Sequence, residues 1–517
     1  MKRLGASPLP LIAVLFLLAG SLAHSDSVPG FVILHSNDVL GELEPCGCRN
    51  NPLGGMQRKE RLLKEHEQLA LYPESSRLQV DSGDLFFSGT EIAPTLRAQT
   101  EIQARALAQA LKSTGLQVMV PGEKDFALGV SFYKKLIQLS QVTAVAANLE
   151  WRNSSKAPWK PMFAPHTIVT LKSGSKKLRA AVFGLVGTSI SWPENIRATD
   201  PTRAAKKLVP LLKKKSDLII ALTHQGLEED LRLARNVPGI DRIIGAHSQS
   251  FLQDEILEGQ TRIHQSSFRN QHLGFIPIAF DKSQTQKSQL IELGALFDTE
   301  DTETTPVREI IQKTKKQISE ANLSAQKSIG GNSSAHSKLQ TFTQCSECHA
   351  RQFEFWRKTP HAQAFEVLAK TGAENNKECI GCHSVGFGQK NGFSEVKDLV
   401  EWSEGDKTHH LASFLKELRD IKSPERAAEH LRKAKRIHAT VQCENCHVTQ
   451  PNSAQDHPFG LSSQFPSVQQ ETCLQCHTPA RAPGWYQAEK GGNGTLDTAR
   501  LKAKFIEMSC PRGDAQP

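Results

Sequence analysis

The chain has 517 residues, of which 38% are hydrophobic and 23% charged, and 63 Lys and Arg against 54 Asp and Glu give it a net charge of +9. That length allows two or three domains, each able to bury a core. The excess is scattered upstream, because residues 341–517 hold 22 basic and 21 acidic side chains and so account for only +1; its densest run, Lys213 to Lys215, reads as a solvated helix end, and no nucleic-acid surface is expected.

Residues 1–25 read as an export signal. Lys2 and Arg3 precede an apolar stretch from Leu9 to Leu18, and small residues around Ser21, Ala23 and Ser25 offer cleavage sites. The stretch is too short for a spanning helix, no later run reaches roughly 18 apolar residues, and no Cys follows it that would carry a lipid. The mature protein is expected to be periplasmic, without a membrane span.

Residues 30–297 alternate short β-rich runs with helical stretches. Phe31–Leu34, Leu78–Val80, Val142–Ala146, Leu178–Val186, Leu218–Leu222 and Ile240–Ile244 read as buried strands. Residues 97–113 and 202–215 read as amphipathic helices, with Ile102, Leu107 and Leu111 on one face of the first. This alternation predicts a layered α/β domain. Residues 298–340 then read as a helix from Pro306 to Ala321 followed by a Ser/Gly/Asn linker, Ser324 to Ser337.

From Thr341 to the end the pattern changes. Strands are expected to disappear, and only residues 408–437 look like regular helix. Four Cys-x-x-Cys-His motifs crowd this segment: Cys345/Cys348/His349, Cys379/Cys382/His383, Cys443/Cys446/His447 and Cys473/Cys476/His477. In each, two thiols can add across haem vinyl groups while the adjacent imidazole supplies an iron ligand. One match in a long chain can be accidental, and a Cys-x-x-Cys pair alone can hold zinc or cycle as a dithiol. Four matches that all end in His leave little room for either, and predict four covalently bound c-type haems. Seven further histidines of this region, His336, His361, His409, His410, His430, His438 and His457, are candidates for sixth ligands; a surface or loop role is the simpler reading for most of them. Eight of the 11 cysteines are thereby assigned, leaving Cys46, Cys48 and Cys510. One of the first two can pair with Cys510, or both can ligate a soft metal.

The motifs and the residues between them, "FWRKTPHAQAF" at 355–365, "CIGCHSVGFGQKNGF" at 379–393 and "VQCENCH" at 441–447 with a later "DHP", resemble the tetrahaem cytochrome c-554 family over most of residues 342–480. The resemblance implies a mainly α and irregular multihaem domain over 341–517, with His361 and His457 as distal ligands and an open iron at the second motif. Segment 394–440 is longer and more charged than the family pattern.

Upstream, "ILHSNDVLGELEP" (33–45), "GGMQRK" (54–59), "DSGDLF" (81–86), "VPGEKDFALG" (120–129), "LTHQGLEEDLRLA" (222–234) and "IDRIIGAHSQ" (240–249) resemble, in order, the metallophosphoesterase domain of periplasmic nucleotidases and of the thiosulfohydrolase of sulfur oxidation. That implies an α-β-β-α layered fold whose strand ends carry Asp38, Asp84, Glu123, His224 and His247 as metal ligands, with room for one or two divalent ions (Mn, Zn or Fe). Departures are concentrated in the site. The family's Asp-x-His is Asp38-Val39-Leu40, its Gly-Asn-His-Glu is Gly122-Glu123-Lys124-Asp125, and its last imidazole is Gln249. Asp84, Glu123, His224 and His247 remain for one ion, and Lys124 and Asp125 stand as the candidate catalytic residues. Ordinary nucleotidase activity is not expected, since losing charge stabilisation and proton transfer each costs about two powers of ten or more in rate.

Taken together, the sequence predicts an electron-transfer protein that meets a periplasmic redox partner, with an N-terminal module that binds a small-molecule substrate, docks the partner or performs altered catalysis. The alternatives are a metal-dependent hydrolase or sulfur/nitrogen-compound oxidoreductase coupled to the haems, and a small-molecule reductase acting at an open haem.

Overall fold

The computed structural model describes residues 30–45, 52–280, 287–298, 303–328, 339–389, 392–403, 410–447, 468–479, 481–482, 485–489 and 492–511. The expected signal, Cys46, Cys48, His336, His409 and His457 lie outside these. Among the described residues no helix is long and apolar enough to cross a membrane.

The N-terminal half is built on two six-stranded sheets. The first runs Gln289–Glu292, His272–Ile278, Phe31–Ser36, Arg77–Asp81, Val118–Met119, Thr143–Ala144. The second runs Ile256–Glu258, Thr261–His264, Arg242–Ala246, Leu218–His224, Lys176–Val186, His166–Ser173. Strand Phe31–Ser36 is apolar over its first four residues and buried throughout, as expected of a strand covered on both faces. Its side chains divide between two layers: Phe31 and Ile33 join the core between the sheets, and Val32 and Leu34 pack under the helix Met56–Glu65. Helices on the outer faces complete the α-β-β-α sandwich.

Most predicted elements are present, with informative differences. The run 142–146 yields only the strand Thr143–Ala144, because Val145 leaves the first sheet and bridges to Ala164. The run 240–244 becomes Arg242–Ala246, because the Asp241 carboxylate accepts the Ile219 amide at 2.7 Å and stops the ladder there. The helix expected from Pro306 to Ala321 continues to Ser328. Ala, Gln and Lys over 325–327 favour helix, so the composition read as linker still propagates it.

That helix is no spacer. It lies along helix Arg97–Ser113 and contributes Val307 and Ile311 to the core of the N-terminal domain.

The haem-motif domain has its own apolar core, including Phe342, Trp356, Phe365, Phe414 and Ile437. The expectation that strands vanish there is corrected by two small antiparallel ribbons, Val400–Trp402 with Ala434–Ile437 and Tyr486–Glu489 with Gly492–Leu496. Segment 408–437 is likewise not one helix. Helix Leu411–Asp420 ends, and Ser423 caps a second, Pro424–Leu431, whose N-terminal Pro cannot continue a preceding helix.

The two halves meet through a buried amide. Gln99, on helix Arg97–Ser113, is fully buried. Its Nε2 donates to Asn376 Oδ1 at 3.0 Å, and its Oε1 accepts from Asn322 Nδ2 at 2.9 Å and from the Lys377 amide at 3.0 Å. Asn376 in turn caps the helix that carries Cys379 and Cys382.

Candidate metal and haem sites

In the N-terminal domain the site forms where strand ends meet. Asp38 lies two residues past Phe31–Ser36, Asp84 three past Arg77–Asp81, His224 ends Leu218–His224, and His247 follows Arg242–Ala246. These strands run parallel in pairs within their sheets, so their carboxyl ends point to one edge, where α/β sheets gather ligands. Cross-sheet hydrogen bonds hold that edge together. Ser82 Oγ donates to the Ile244 carbonyl at 2.6 Å, His224 Nδ1 donates to the Ser82 carbonyl at 2.8 Å, and Asn37 Oδ1 accepts from the Ser266 amide at 2.7 Å.

The backbone is unusual at the same residues. Asp38 (φ 49°), Asp84 (φ 55°) and His247 (φ 73°) are left-handed, a conformation uncommon outside glycine and found at sites where side-chain aim matters more than backbone comfort. Gly122 must lack a side chain, since a Cβ there would sit 2.2 Å from Asp84 Oδ1.

The geometry brings all five sequence-predicted ligands together. One ligand atom each of Glu123, His224 and His247 lie within 4.8 Å of one another, and so do those of Asp38, Asp84 and His224. His224 Nε2 is 2.9 Å from Glu123 Oε2 and 3.5 Å from Asp84 Oδ2, and His247 Nδ1 is 3.5 Å from Glu123 Oε2. Asp38 Oδ1 and His247 Nδ1 are buried without a hydrogen-bond partner among the described residues, as atoms awaiting a cation would be. The chemistry of this donor set, two imidazoles with hard carboxylates, suits a divalent ion such as Zn or Mn.

Lys124 is part of the cluster. Its amide donates to Asp84 Oδ1 at 2.9 Å, its ammonium contacts Asp84 Oδ2, and it donates to Glu123 Oε1 at 2.7 Å. Asp125 has a different place: fully buried, it accepts the amides of Leu85 at 2.8 Å and of Asp84, Phe86 and Gly122 at 3.0 Å, so it shapes the turn that aims Asp84.

Charge follows this geometry. Burial raises the Asp38 carboxyl to about 6, with His224 opposing. Burial would also raise Asp84 and Glu123, but their hydrogen bonds and charge interactions with His224 outweigh it and hold both carboxyls below their ordinary range. Burial works against a charged His224, yet Asp84 and Glu123 lift its imidazole well above the ordinary value.

The haem motifs are displayed alike. Cys345/Cys348, Cys379/Cys382 and Cys443/Cys446 each span one turn of a short helix, Phe342–Cys348, Lys377–Cys382 and Cys443–Cys446, and each motif His is the residue at that helix's C-terminus. The fourth motif has its thiols on and just after the 3₁₀ turn Gln470–Gln475. Two thiols three residues apart on one turn point the same way, as addition to one porphyrin edge requires. His383 Nδ1 donates to the Ala364 carbonyl at 2.6 Å, which fixes the tautomer and leaves Nε2 as the lone-pair donor. The residues present therefore fit haem.

His349, expected as the iron ligand of the first motif, is exposed, as is the adjacent thiol of Cys348. The reason lies in the helix pair around it. His349 ends helix Phe342–Cys348 and begins helix Ala350–Trp356, with its amide on the Cys345 carbonyl at 2.9 Å and its carbonyl accepting the Phe353 amide at 2.9 Å. The buried face of that pair is taken by Phe342, Phe353 and Trp356, which leaves residues 347–350 on the solvent side. These main-chain bonds tie the place of His349 to the two helices. Its charge bears on His447, whose imidazole is lowered first by burial and then by His349, so the two first- and third-motif imidazoles are neighbours.

Tertiary packing sets the motifs against one another. The thiols of Cys345 and Cys443 are hydrogen-bonded neighbours, and so are those of Cys382 and Cys476. The first motif thus lies beside the third, the third beside the fourth, and the fourth beside the second. His361 faces His477 with ring centres 6.2 Å apart. His430 is placed as a core residue, stacked on Phe414 with Nε2 3.0 Å from its carbonyl. His438 stacks on Phe393, His410 is exposed at a helix start, and Cys510 is an exposed free thiol.

Comparison with known proteins agrees with both halves. The family described as cytochrome c554 and c-prime matches residues 344–402 and 396–478. The 5'-nucleotidase of Bos taurus is 26% identical over 311 residues, covering 54% of this chain and 51% of that protein. The trifunctional nucleotide phosphoesterase protein YfkN of Bacillus subtilis is 26% identical over 305 residues, covering 51% of this chain and 19% of that one. This chain thus spans about half or less of the length of these relatives. The solved 5'-nucleotidase precursor of Thermus thermophilus is similar at 21% identity, with a TM-score of 0.46 over 56% of this chain and 59% of that one. The molecule is a metallophosphoesterase-like α/β domain joined to a c-type cytochrome domain. Its C-terminal region is of the cytochrome c554 type, and its N-terminal half is related to the 5'-nucleotidases.

Sequence reasoning missed Asn37, Ser82 and Gln99. The first two had a local signal, short polar side chains beside Asp38 and Asp84 at strand ends. Gln99 had none, since its partners come from residues 322, 376 and 377.

Proposed function

We propose that this chain is a periplasmic electron-transfer protein that carries four covalently bound haems and serves a periplasmic redox partner. The observation that carries this reading is the packing of the four motifs against one another, first beside third, third beside fourth and fourth beside second. Haem supplies one-electron chemistry when bound, and neighbouring attachment sites shorten every transfer. The chain's own part is to hold each thiol pair on one helical turn, to fix His383 as an Nε2 ligand, and to set His361 across from His477.

The N-terminal domain, locked to the second motif through Gln99 and Asn376, acts in this reading as the module that binds a substrate or docks the partner close to that motif. The test is a haemochrome assay with a redox titration on the mature protein. Four haems per chain that titrate reversibly support the proposal; fewer than four, or no exchange with small periplasmic cytochromes, sinks it.

A second reading, a metal-dependent hydrolase or sulfur-compound enzyme coupled to the haems, is favoured by the convergence of Glu123, His224 and His247. Turnover of a phosphate or thiosulfate ester with concurrent haem reduction would select it.

A further inference from the structure

We infer that Lys124 is a resident cation that replaces one of the two divalent ions of a binuclear site, limiting this cluster to a single divalent ion. The inference rests on the geometry of the N-terminal cluster and not on the haem count.

Three carboxylates define the cluster, Asp38, Asp84 and Glu123, all buried. Glu123 divides its oxygens. Oε1 accepts from the Lys124 ammonium at 2.7 Å, and Oε2 faces His224 Nε2 at 2.9 Å and His247 Nδ1 at 3.5 Å. Asp84 Oδ2 contacts the ammonium and lies 3.5 Å from His224 Nε2. The ammonium is therefore bound to Asp84 of the Asp38–Asp84–His224 group, where a second metal would sit, while the Glu123–His224–His247 side keeps three converging ligand atoms.

Charge balance gives the same count. Three carboxylates are neutralised by one divalent ion plus one ammonium, whereas two divalent ions plus that ammonium leave an excess of two positive charges in a buried site, which is costly. Ligands for a second metal are also short: the converging group Asp38, Asp84 and His224 shares Asp84 with the ammonium and His224 with the first group, while Leu40 has no donor atom and Gln249 offers only an amide.

The anchoring is firm. Lys124 is held at both ends, by its amide on Asp84 Oδ1 at 2.9 Å and by its ammonium, and its side chain is only 18% exposed. The adjacent Asp125 fixes the turn that presents both partners.

The experiment is equilibrium dialysis of the haem-loaded full chain against Mn²⁺ alone and Zn²⁺ alone, with bound metal counted apart from haem iron. Wild type should take one ion per chain. The neutral variant Lys124→Met should bind that ion about tenfold or more tightly, because a like charge a few ångströms away in a poorly screened site is gone. Lys124→Arg should bind as weakly as wild type. Leu40→His with Gln249→His should still take one ion, and adding Lys124→Met should raise the count to two. Two ions in wild type, none in wild type and Lys124→Met alike, or equal affinity in both, overturns the inference. Lys124→Gln serves as a second neutral variant if Lys124→Met fails to melt cooperatively, and haem content reports the other domain separately.

Discussion

The two halves of this molecule define their sites by opposite means. In the N-terminal domain the cluster is shaped by main chain. Asp125 collects four amides, Asp38, Asp84 and His247 adopt left-handed backbone, and parallel strands from two sheets converge on one edge. In the haem domain three of the four motifs sit on a short helix with its own cap, such as the Thr341/Gln344 capping box or Asn376, and these pieces are set against one another by an apolar core of Phe, Trp and Leu. A site made by converging sheets fails as a whole when one strut is removed. A site made of a capped turn fails locally. That contrast predicts which substitutions spread and which stay put.

The largest effect is expected in the haem domain and should remain local. Cys379→Ala with Cys382→Ala removes one of four attachment motifs, so haemochrome should fall from four haems per chain to three while the N-terminal domain melts as before. Loss of all haem would break the comparison. Next, Asp125→Ala leaves four buried amides without their acceptor and should cost about 3 kcal/mol or more. Denaturant melts followed by N-terminal tryptophan fluorescence should shift strongly, and divalent-metal binding should go with it, while the Soret band holds.

Gln99→Ala tests the seam between the halves. Removing a buried amide with three partners should cost about 1–3 kcal/mol and split a single melting transition into two. A single unshifted transition would show that the halves are not coupled there. The smallest effect is a pH dependence in chelator-treated protein. His224 is raised above its unfolded value, so the stability it contributes is whole below about pH 6.5 and is lost as pH rises through the raised folded value. The N-terminal melting temperature should therefore decline on the alkaline side, and His224→Asn should flatten that slope.

The sequence by itself determined what is local. Cys-x-x-Cys-His announces haem attachment because both thiols and the imidazole must come from one turn of chain. Strands such as Leu218–His224 and helix Arg97–Ser113 were legible because apolar runs and apolar faces persist through them. The ordered strand-end residues Asp38, Asp84, His224 and His247 were legible as a set. Linker composition misled at Ser324, because helix propensity there sufficed once the segment packed on a neighbour. Four identical motifs likewise gave no hint that His349 is exposed while His383 is half-buried, since that depends on which face of each helix the core takes. Only the tertiary structure decided which motif lies beside which, that Gln99 joins the halves, that Asp125 is a strut, and that the Lys124 ammonium lies between Asp84 and Glu123. The physical reason is the same throughout: these contacts join residues far apart in the chain or depend on side-chain reach, and neither is encoded in spacing.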